Sequence, residues 1–237
     1  MKERKVYLSI IIPARNEQDS IVSTIEHFSS HIDTSQTEIV VVDDHSTDNT
    51  AGVIKCILQD KPFVIFVKNI NKPGFAGALR TGFDHARGEY VLPVMADGCD
   101  DPETIPLMLE KAKEGYDLVC GCRYMKGGKK YGGPFLQGFF SKLVCLSLYH
   151  IARIPTRDIT NAFKLYRRRA LQNIQLNENG FAVSMEAALK FHLNNCKICD
   201  VPTVWQGRKK GRSKFRLTRT LPYVKLYLCA LGKRWKK

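Results

Sequence analysis

The sequence lacks an apolar run long enough to cross a bilayer. Lys142 and Lys225 interrupt the two most apolar segments of its second half, whereas a spanning helix needs about 20 consecutive apolar residues. We also expect no secretory leader, because the first residues, MKERKVYLSI, pass directly into a strand-like segment. These absences argue against a secreted or membrane-spanning protein, and we expect a cytoplasmic location.

Acidic residues are absent after Asp200, although basic ones are frequent there and the chain carries a formal net charge of +14. The basic residues of this region are Arg208, Lys209, Lys210, Arg212, Lys214, Arg216, Arg219, Lys225, Lys233, Arg234, Lys236 and Lys237. Such asymmetry indicates a polyanionic partner: nucleic acid, an anionic membrane surface or a phosphorylated substrate. The plainer alternative is a solvated tail that keeps the protein soluble.

The eight cysteines are many for a chain of 237 residues, but several of them lie in apolar strand-like or helix-like runs. That placement predicts the buried, reduced thiols of a cytosolic protein. Cys196 and Cys199 have C-x-x-C spacing, and Cys120 lies near Cys122. A structural zinc site needs two cleanly spaced pairs in turns, so we do not expect zinc here.

Two common phosphate-binding motifs are missing. No G-x-x-x-x-G-K-[ST] sequence occurs, which argues against a P-loop NTPase. Gly74, Gly77 and Gly82 do not form G-x-G-x-x-G and do not directly follow a strand. This argues against a dinucleotide-binding fingerprint.

Apolar strands alternate with amphipathic helices through the first half. Strands are predicted at 6–12, 38–42, 63–67, 90–95 and 117–120, and helices at 16–31, after the candidate caps Ser46, Thr47 and Asp48, at 74–86 and after Pro102. The pattern predicts an α/β fold with a Rossmann-like, mostly parallel sheet and helices on both faces. Ligands bind such sheets at the carboxyl ends of the strands. The second half is less regular, with an apolar segment at 139–154, a helix at 184–193 and a strand at 197–205.

Carboxylates collect at the predicted strand ends: Glu17, Asp43, Asp44, Asp97, Asp100 and Asp101. Carboxylates packed together repel one another unless a cation lies between them. A Mg²⁺ or Mn²⁺ ion, held by one or two carboxylates and by substrate phosphates, is the usual solution. For Asp48 we favour helix capping or turn formation, and for Asp44 and Asp97 we favour a role in binding.

Six motifs occur in the order seen in family-two glycosyltransferases. They are SIIIPARNE (9–17), EIVVVDDHSTDNT (38–50), NKPGFAGALRTGFDHARG (71–88), MADGCDDPE (95–103), GCRY (121–124) and DITNAFKLYRR (158–168). Together with RKKGRSK (208–214), they resemble in particular dolichol-phosphate mannose synthases and related polyprenyl-phosphate glycosyltransferases. Each motif is weak alone, but the ordered set is specific.

The resemblance implies the GT-A fold and an inverting transfer of a sugar from a nucleotide-sugar to a polyprenyl phosphate, with Mg²⁺ or Mn²⁺ as cofactor. The donor-binding residues that it implies are Pro13, Arg15, Glu17, Asp43, Asp44, Ala96 and Asp97. Asp97 would hold the metal ion. The acceptor-binding residues would be Arg123, Ser141, Arg208 and Lys214, and the catalytic residues Asp97, Arg123 and Arg208.

The metal-binding motif departs from the family pattern at two positions. Met95 replaces the first aspartate of D-x-D, which leaves Asp97 as the main carboxylate for a cation. Cys99 stands where the family has a metal-facing glutamine, and a thiol is a softer ligand for a hard cation. Asp100 and Asp101 are the candidates to compensate.

The acceptor motif departs as well. Gln137 stands where the subfamily tends to have an arginine four residues before a serine, here Ser141. Arg208, Lys210 and Lys214 are candidates to supply the charge. Because a phosphate monoester is already ionised at neutral pH, such an acceptor requires positioning and charge stabilisation rather than a strong general base.

A polyprenyl acceptor requires a membrane surface, and two segments suit one. The first carries Phe139, Phe140, Leu143, Val144, Leu146 and Leu148; the second, 221–235, has Tyr223, Leu226, Tyr227 and Leu228 on one side. Basic amphipathic helices lie in the plane of the membrane interface. We therefore predict a GT-A domain at 1–218, a basic amphipathic tail at 219–237 and peripheral membrane association. The alternative is that both helices pack on the core.

Two other functions stay open. A basic nucleic-acid-binding module would use the tail with Phe215, Tyr223 and Trp235, but it leaves the strand-end carboxylates unexplained. A glycosyltransferase acting on a glycan or protein hydroxyl would need a general base, for which Glu186 and Asp158 are candidates. The preferred partners are a nucleotide-sugar, a polyprenyl phosphate and an anionic membrane, without nucleic acid.

Overall fold

A seven-stranded sheet forms the centre of the computed structural model, which describes residues 5–207 and 220–232. The strands in chain order are β1 (Leu8–Ala14), β2 (Thr37–Asp43), β3 (Val64–Lys68), β4 (Tyr90–Pro93), β5 (Leu118–Cys122), β6 (Lys129–Tyr131), β7 (Lys164–Arg167), β8 (Ile198–Pro202) and β9 (Val204–Gln206). The large sheet has the order β3-β2-β1-β4-β7-β5-β8, in which only β7 is antiparallel to its neighbours. Strands β6 and β9 form a separate parallel pair.

Helices cover both faces of the large sheet. They are α1 (Ile21–Ser29), α2 (Thr50–Ile57), α3 (Phe75–His85), α4 (Ile105–Lys113), α5 (Phe135–His150), α6 (Arg168–Gln172), α7 (Val183–Leu193) and α8 (Leu221–Leu231), with a 3₁₀ turn at Pro102–Thr104. Alternate residues of β1 enter different cores: Ile10 and Ile12 pack with Phe28 of α1, whereas Ile11 packs with Leu79 of α3. Burial on both faces explains why the strands read as continuous apolar runs.

The predicted mostly parallel α/β sheet is therefore confirmed, and most element boundaries agree within a few residues. The predicted helix at 16–31 begins only at Ile21, because the loop before it bonds to the loop after β2. The predicted caps Ser46 and Thr47 are wrong, since α2 begins at Thr50 and follows Asn49. Asp48 does turn the chain there, as its carboxylate accepts the N–H of Thr50 (3.0 Å).

The predicted strand at 197–205 is two strands. The break falls at Thr203, whose hydroxyl pairs with that of Thr104 (2.9 Å) and whose N–H donates to the carbonyl of Cys122 (3.1 Å). These contacts redirect the chain after β8, so that β9 leaves the large sheet and pairs with β6. A single apolar run in the sequence cannot reveal this change of partner.

Helices α5 and α8 pack on the core with one face and expose the other. Cys145, Leu148 and Leu226 are buried in one apolar cluster, and the hydroxyl of Ser147 donates to that of Tyr227 (3.1 Å). Leu228 is exposed, so the expectation that it shares one side of α8 with Leu226 is wrong. Within 5–207 and 220–232, no helix combines the length and apolar character that crossing a bilayer requires.

A buried carboxylate joins the amino ends of the central strands. Glu38 on β2 accepts hydrogen bonds from the hydroxyl of Ser9 on β1 (2.6 Å) and from the backbone N–H of Arg87 (2.7 Å). Its other oxygen accepts from the Arg87 guanidinium (2.7 Å). Glu38 thus holds the segment between α3 and β4 against the edge of the sheet opposite to the strand ends that carry the predicted site.

We expect Glu38→Gln to lower the free energy of unfolding by about 1–3 kcal/mol, because an amide places a donor where the carboxylate accepts. Urea unfolding measures the change. The matched control is Glu114→Gln, which removes an exposed pair with Lys111 and should leave the free energy of unfolding almost unchanged. Equal effects of the two substitutions would contradict the structural role of Glu38.

Candidate active site

The loops that follow β1 and β2 are bonded to each other at the carboxyl edge of the sheet. Asn16, whose φ is +53°, donates its N–H to the hydroxyl of Ser46 (3.0 Å) and accepts the N–H of Thr47 on its side-chain oxygen (2.8 Å). Glu17 is buried and donates its N–H to the hydroxyl of Thr50 (2.9 Å). The two loops therefore form one continuous rim above Pro13, which lies within β1.

Asp44 connects this rim to the chain before α3. Its carboxylate is buried and accepts the side-chain amide of Asn69 (2.7 Å) and the backbone N–H of Gly74 (2.9 and 3.0 Å to its two oxygens). Arg15, half exposed, brings its guanidinium to 3.8 Å from the same carboxylate. Asp43 accepts the N–H of Ser46 (3.2 Å). The predicted donor-binding residues of the first two strands thus lie together along one edge.

The loop after β4, residues 95–101, is referred to below as the carboxylate loop. Asp97 is partly exposed and accepts the N–H of Cys99 (3.2 Å), and Gly98 has a φ of +68° that favours glycine at this turn. The carbonyl of Ala96 accepts the hydroxyl of Thr24 on α1 (2.9 Å). The carbonyl of Cys99 accepts the N–H of Gln206, which attaches β9 to the loop.

Asp100 supports the carboxylate loop from inside. Its buried carboxylate accepts the N–H of Met95 (2.8 Å). Burial, and then the negative charges of Asp97 and Asp101, raise the pKa of Asp100 to about 7. Asp101 caps the 3₁₀ turn by accepting the N–H of Glu103 (3.1 Å). Both residues that the sequence offered as compensation for Met95 are therefore engaged by the backbone around them.

The raised pKa of Asp100 predicts a specific dependence of stability on pH. With metal ions removed by a chelator, the folded protein keeps a proton on Asp100 at pH values between the ordinary pKa of an aspartate and about 7, whereas the unfolded protein has lost it. Its contribution to stability is therefore fully present at low pH and falls as pH rises through this window. The free energy of unfolding of Asp100→Asn, relative to that of wild type, should rise by about 2–3 kcal/mol from pH 5 to pH 8. Urea unfolding at both pH values measures the gain, and a difference that does not change with pH would exclude the assignment.

Arg123, at the end of β5, forms a buried ion pair. Its Nε and Nη2 donate to the two carboxylate oxygens of Asp158 (2.7 and 2.8 Å), and its backbone N–H donates to the same side chain (2.9 Å). The guanidinium also donates to the hydroxyl of Thr160 (3.4 Å), which pairs with the hydroxyl of Ser141 on α5 (2.8 Å). The structure thus brings Arg123 and Ser141 together, with Thr160 between them.

We name Arg123, Tyr124, Ser141, Asp158 and Thr160 the Arg123–Ser141 cluster. Tyr124 completes it by donating its hydroxyl to Ser141 (3.1 Å). Sequence reasoning missed Thr160 and the pairing of Asp158, because neither follows from a local pattern. The other predicted acceptor residues, Arg208 and Lys214, lie outside the residues that the structure describes, so their roles stay predictions.

The two candidate general bases are both engaged. Asp158 is paired with Arg123, as above. Glu186 on α7 is buried and accepts the backbone N–H groups of Asn177 and Glu178 (2.9 Å each) and the ammonium of Lys190 (2.9 Å). Each carboxylate is therefore already occupied by hydrogen-bond donors and a cation of the same chain.

The cysteines form no metal centre among the residues described. All eight are free thiols, and no group of three His, Cys, Asp or Glu side chains in 5–207 and 220–232 is arranged to hold a metal ion. Burial raises the pKa of Cys122 to about 12 and that of Cys145 to about 11. The prediction of buried thiols is confirmed for Cys120 and Cys145, but Cys56, which also lies in an apolar run, is exposed and Cys229 is only partly buried.

The mostly parallel sheet with helices on both faces is the GT-A fold that the motifs implied. The profile described as Glycosyl transferase family 2 matches residues 9–175, and the chain belongs to this family. This membership decides between the enzyme and the basic nucleic-acid-binding module in favour of the enzyme.

Two characterised relatives are similar in sequence to most of the chain. A dolichol-phosphate mannosyltransferase of Pyrococcus furiosus is 30% identical over 221 residues, which are 92% of this chain and 62% of the relative. A polyprenol monophosphomannose synthase of Mycolicibacterium smegmatis is 30% identical over 86% of this chain and 79% of its own length. The chain thus spans less than two thirds of the archaeal relative.

A solved structure shares the fold. Glucosyl-3-phosphoglycerate synthase from Mycobacterium tuberculosis, crystallised with Mn²⁺, uridine diphosphate and glucosyl-3-phosphoglycerate, superposes with a TM-score of 0.71. The match covers 96% of this chain and 80% of that chain, at 18% sequence identity. At this identity the likeness establishes the architecture alone.

Proposed function

We propose that the protein transfers a sugar from a nucleotide-sugar to the phosphate of a polyprenyl phosphate at a membrane surface, with inversion at the anomeric carbon. The names of the relatives support this substrate class. The observation that carries the proposal is the position of the Arg123–Ser141 cluster. Ser141 lies on α5, the helix that exposes a row of large apolar side chains suited to a lipid.

The donor would bind along the rim formed by the loops after β1 and β2. Pro13, Arg15, Glu17, Asp43 and Asp44 line this edge. Asp44 accepts internal hydrogen bonds, but a carboxylate has about four acceptor sites, which leaves capacity for a base or ribose. Its contacts with Asn69 and Gly74 also couple donor binding to the chain before α3.

A divalent cation fits the carboxylate loop. Asp97 is a partly exposed carboxylate of this loop at the carboxyl end of β4, whereas Asp100 is buried and Asp101 caps the 3₁₀ turn. Asp97 would hold Mg²⁺ or Mn²⁺ together with donor phosphates, since such ions need only one or two protein carboxylates. When bound, the cation would stabilise the charge of the leaving diphosphate. The Mn²⁺ in the mycobacterial neighbour agrees with this role.

The acceptor chemistry favours a phosphate over a hydroxyl. A phosphate monoester carries its negative charge at neutral pH and needs no base to become a nucleophile. A hydroxyl acceptor would need one, and the candidates Glu186 and Asp158 are already engaged by backbone amides and cations. The protein's main tasks would be to hold two anions in line and to exclude water.

The membrane contact would be made by what we name the α5 apolar face: Phe135, Leu136, Phe139, Phe140 and Leu143, which are 55–82% exposed. Helix α8 packs beside α5 and adds exposed Leu221, Val224 and Leu228. Contiguous exposed apolar surface on a soluble domain marks an interaction site. Peripheral insertion, with the basic tail at 219–237 near anionic lipid, is the arrangement that we infer.

The donor half of the proposal is tested with Asp97→Ala. A thermal-shift panel of UDP-, GDP- and dTDP-sugars with Mn²⁺ or Mg²⁺ first identifies the donor. We then expect Asp97→Ala to lower transfer about 100-fold or more and to remove the metal dependence of nucleotide binding in calorimetry, because the main carboxylate for the cation is gone. Asp101→Asn, in the same loop, should keep that dependence. Near-normal turnover of Asp97→Ala would refute the metal assignment.

The membrane half is tested with Phe139→Ser/Phe140→Ser. Flotation with liposomes at physiological salt should give binding at least about 10-fold weaker, since two exposed aromatic side chains no longer insert. Leu107→Ser is the control, because Leu107 is an exposed apolar residue of α4 and its loss should leave binding unchanged. If both variants bind like wild type, the α5 apolar face does not contact lipid.

A further inference from the structure

The charge of the Arg123–Ser141 cluster is smaller than the sequence suggests. Arg123 and Asp158 form a bidentate pair, which is formally neutral. A phosphate monoester carries between one and two negative charges at neutral pH. The resemblance places a second cation at position 137, but the residue there is Gln137. A phosphate held at this cluster therefore needs another positive group from elsewhere in the chain.

Lys130 on β6 lies against the first turn of α5, the turn that contains position 137. A Cβ atom added to Gly138 would lie 3.0 Å from the Lys130 ammonium nitrogen, so the ammonium lies directly against the first turn of the helix. Gly138 precedes Ser141 by one helical turn. The absence of a side chain at Gly138 makes room for the lysine.

Two further contacts hold the Lys130 side chain in this position. Its ammonium donates to the carbonyl of Gly132 (2.9 Å) and lies 5.3 Å from the centre of the Trp205 ring. Trp205 belongs to β9, which pairs with β6, and the next residue, Gln206, donates its N–H to Cys99 in the carboxylate loop. Strand β9 therefore contacts both the Lys130 side chain and the carboxylate loop.

The partners of the Lys130 ammonium are uncharged in the part of the chain that the structure describes. Across residues 5–207 and 220–232, no carboxylate forms an ion pair with it. Burial, and then the positive charge of Arg123, lower the pKa of Lys130. An ammonium that has no ion-pair partner in the described residues and lies one helical turn from Ser141 is suited to bind an anion.

We propose that Lys130 binds the acceptor phosphate as the second cation beside Arg123, in place of the arginine that the family pattern has at position 137. This inference rests on the proposed function, since it assigns a residue to the phosphate of a polyprenyl acceptor. The Gly138 contact and the unpaired ammonium carry it. Trp205 acts as a positioning residue that keeps the ammonium against α5.

The test uses farnesyl phosphate, a short polyprenyl monophosphate, dispersed in a neutral detergent so that membrane charge plays no part. We expect Lys130→Ala to raise the KM for farnesyl phosphate about 10- to 100-fold, because a charged hydrogen bond is lost. The KM for the donor should stay within about 2-fold of wild type. Lys129→Ala is the matched control: Lys129 is exposed on the same short strand and carries the same charge, and its loss should leave both constants unchanged.

A rescue variant separates binding from folding. Lys130→Ala/Gln137→Arg restores a cation at the family position, and we expect it to recover most of the affinity for farnesyl phosphate. The inference is overturned if Lys130→Ala and Lys129→Ala have the same KM for this acceptor. A wild-type enzyme that ignores farnesyl phosphate but glycosylates a hydroxyl acceptor would instead overturn the proposed function, and the role of Lys130 with it.

Discussion

The candidate acceptor site depends on one buried ion pair, between Arg123 at the end of β5 and Asp158 in the segment before β7. Asp158 is fully buried and would be costly to leave without its partner, by about 3–5 kcal/mol. The same segment is held by Asn161, whose side-chain amide donates to the carbonyl of Gly121, and by the buried ammonium of Lys164, which donates to the carbonyls of Ile159 and Asn161. Because β7 is the antiparallel strand inside the sheet, these contacts fix its approach between β4 and β5. The hydrogen bond between the hydroxyls of Thr160 and Ser141 connects this segment to α5.

Several charged residues of the motifs bond to other parts of the chain and therefore support the site. Asp44, Asp100, Arg123 and Asp158 all belong to motifs of the family, and each one is held by another part of the same chain. A preorganised site of this kind has its polar groups oriented before substrate arrives, which lowers the cost of reorganisation during the reaction. Asp97 and Lys130 are partly exposed, and in the proposed mechanism they are the groups that would contact metal and phosphate. Each proposed site, for donor and for acceptor, thus combines internally paired supporting groups with one partly exposed group.

The two proposed substrates would also approach from different surroundings. The donor rim consists of polar loops at the carboxyl edge of parallel strands, where backbone amides and carboxylates are concentrated. The acceptor cluster lies beside the α5 apolar face, which is exposed although its helix is packed on the core by Cys145 and Leu148. A phosphate at Ser141 could therefore keep its charged end among polar groups while a prenyl chain follows the apolar side chains. Strand β9 connects the two halves, since Gln206 bonds the carboxylate loop while Trp205 contacts Lys130.

The amino-acid sequence by itself determined the α/β class, the five strands of the first half and the polar loops at their carboxyl ends, but it did not indicate β6 or β7. Strands such as TEIVVVD (37–43) are buried on both faces and read as apolar runs, and their polar ends mark the carboxyl edge. Tertiary structure alone decided which motif residues are paired, because Asp44 meets Gly74 and Arg123 meets Asp158 across 30 and 35 positions of the chain. It alone divided the 197–205 segment between two sheets, through the contacts of Thr203. It also brought Lys130 to Gly138, because strand pairing and helix packing depend on partners that a local pattern does not contain.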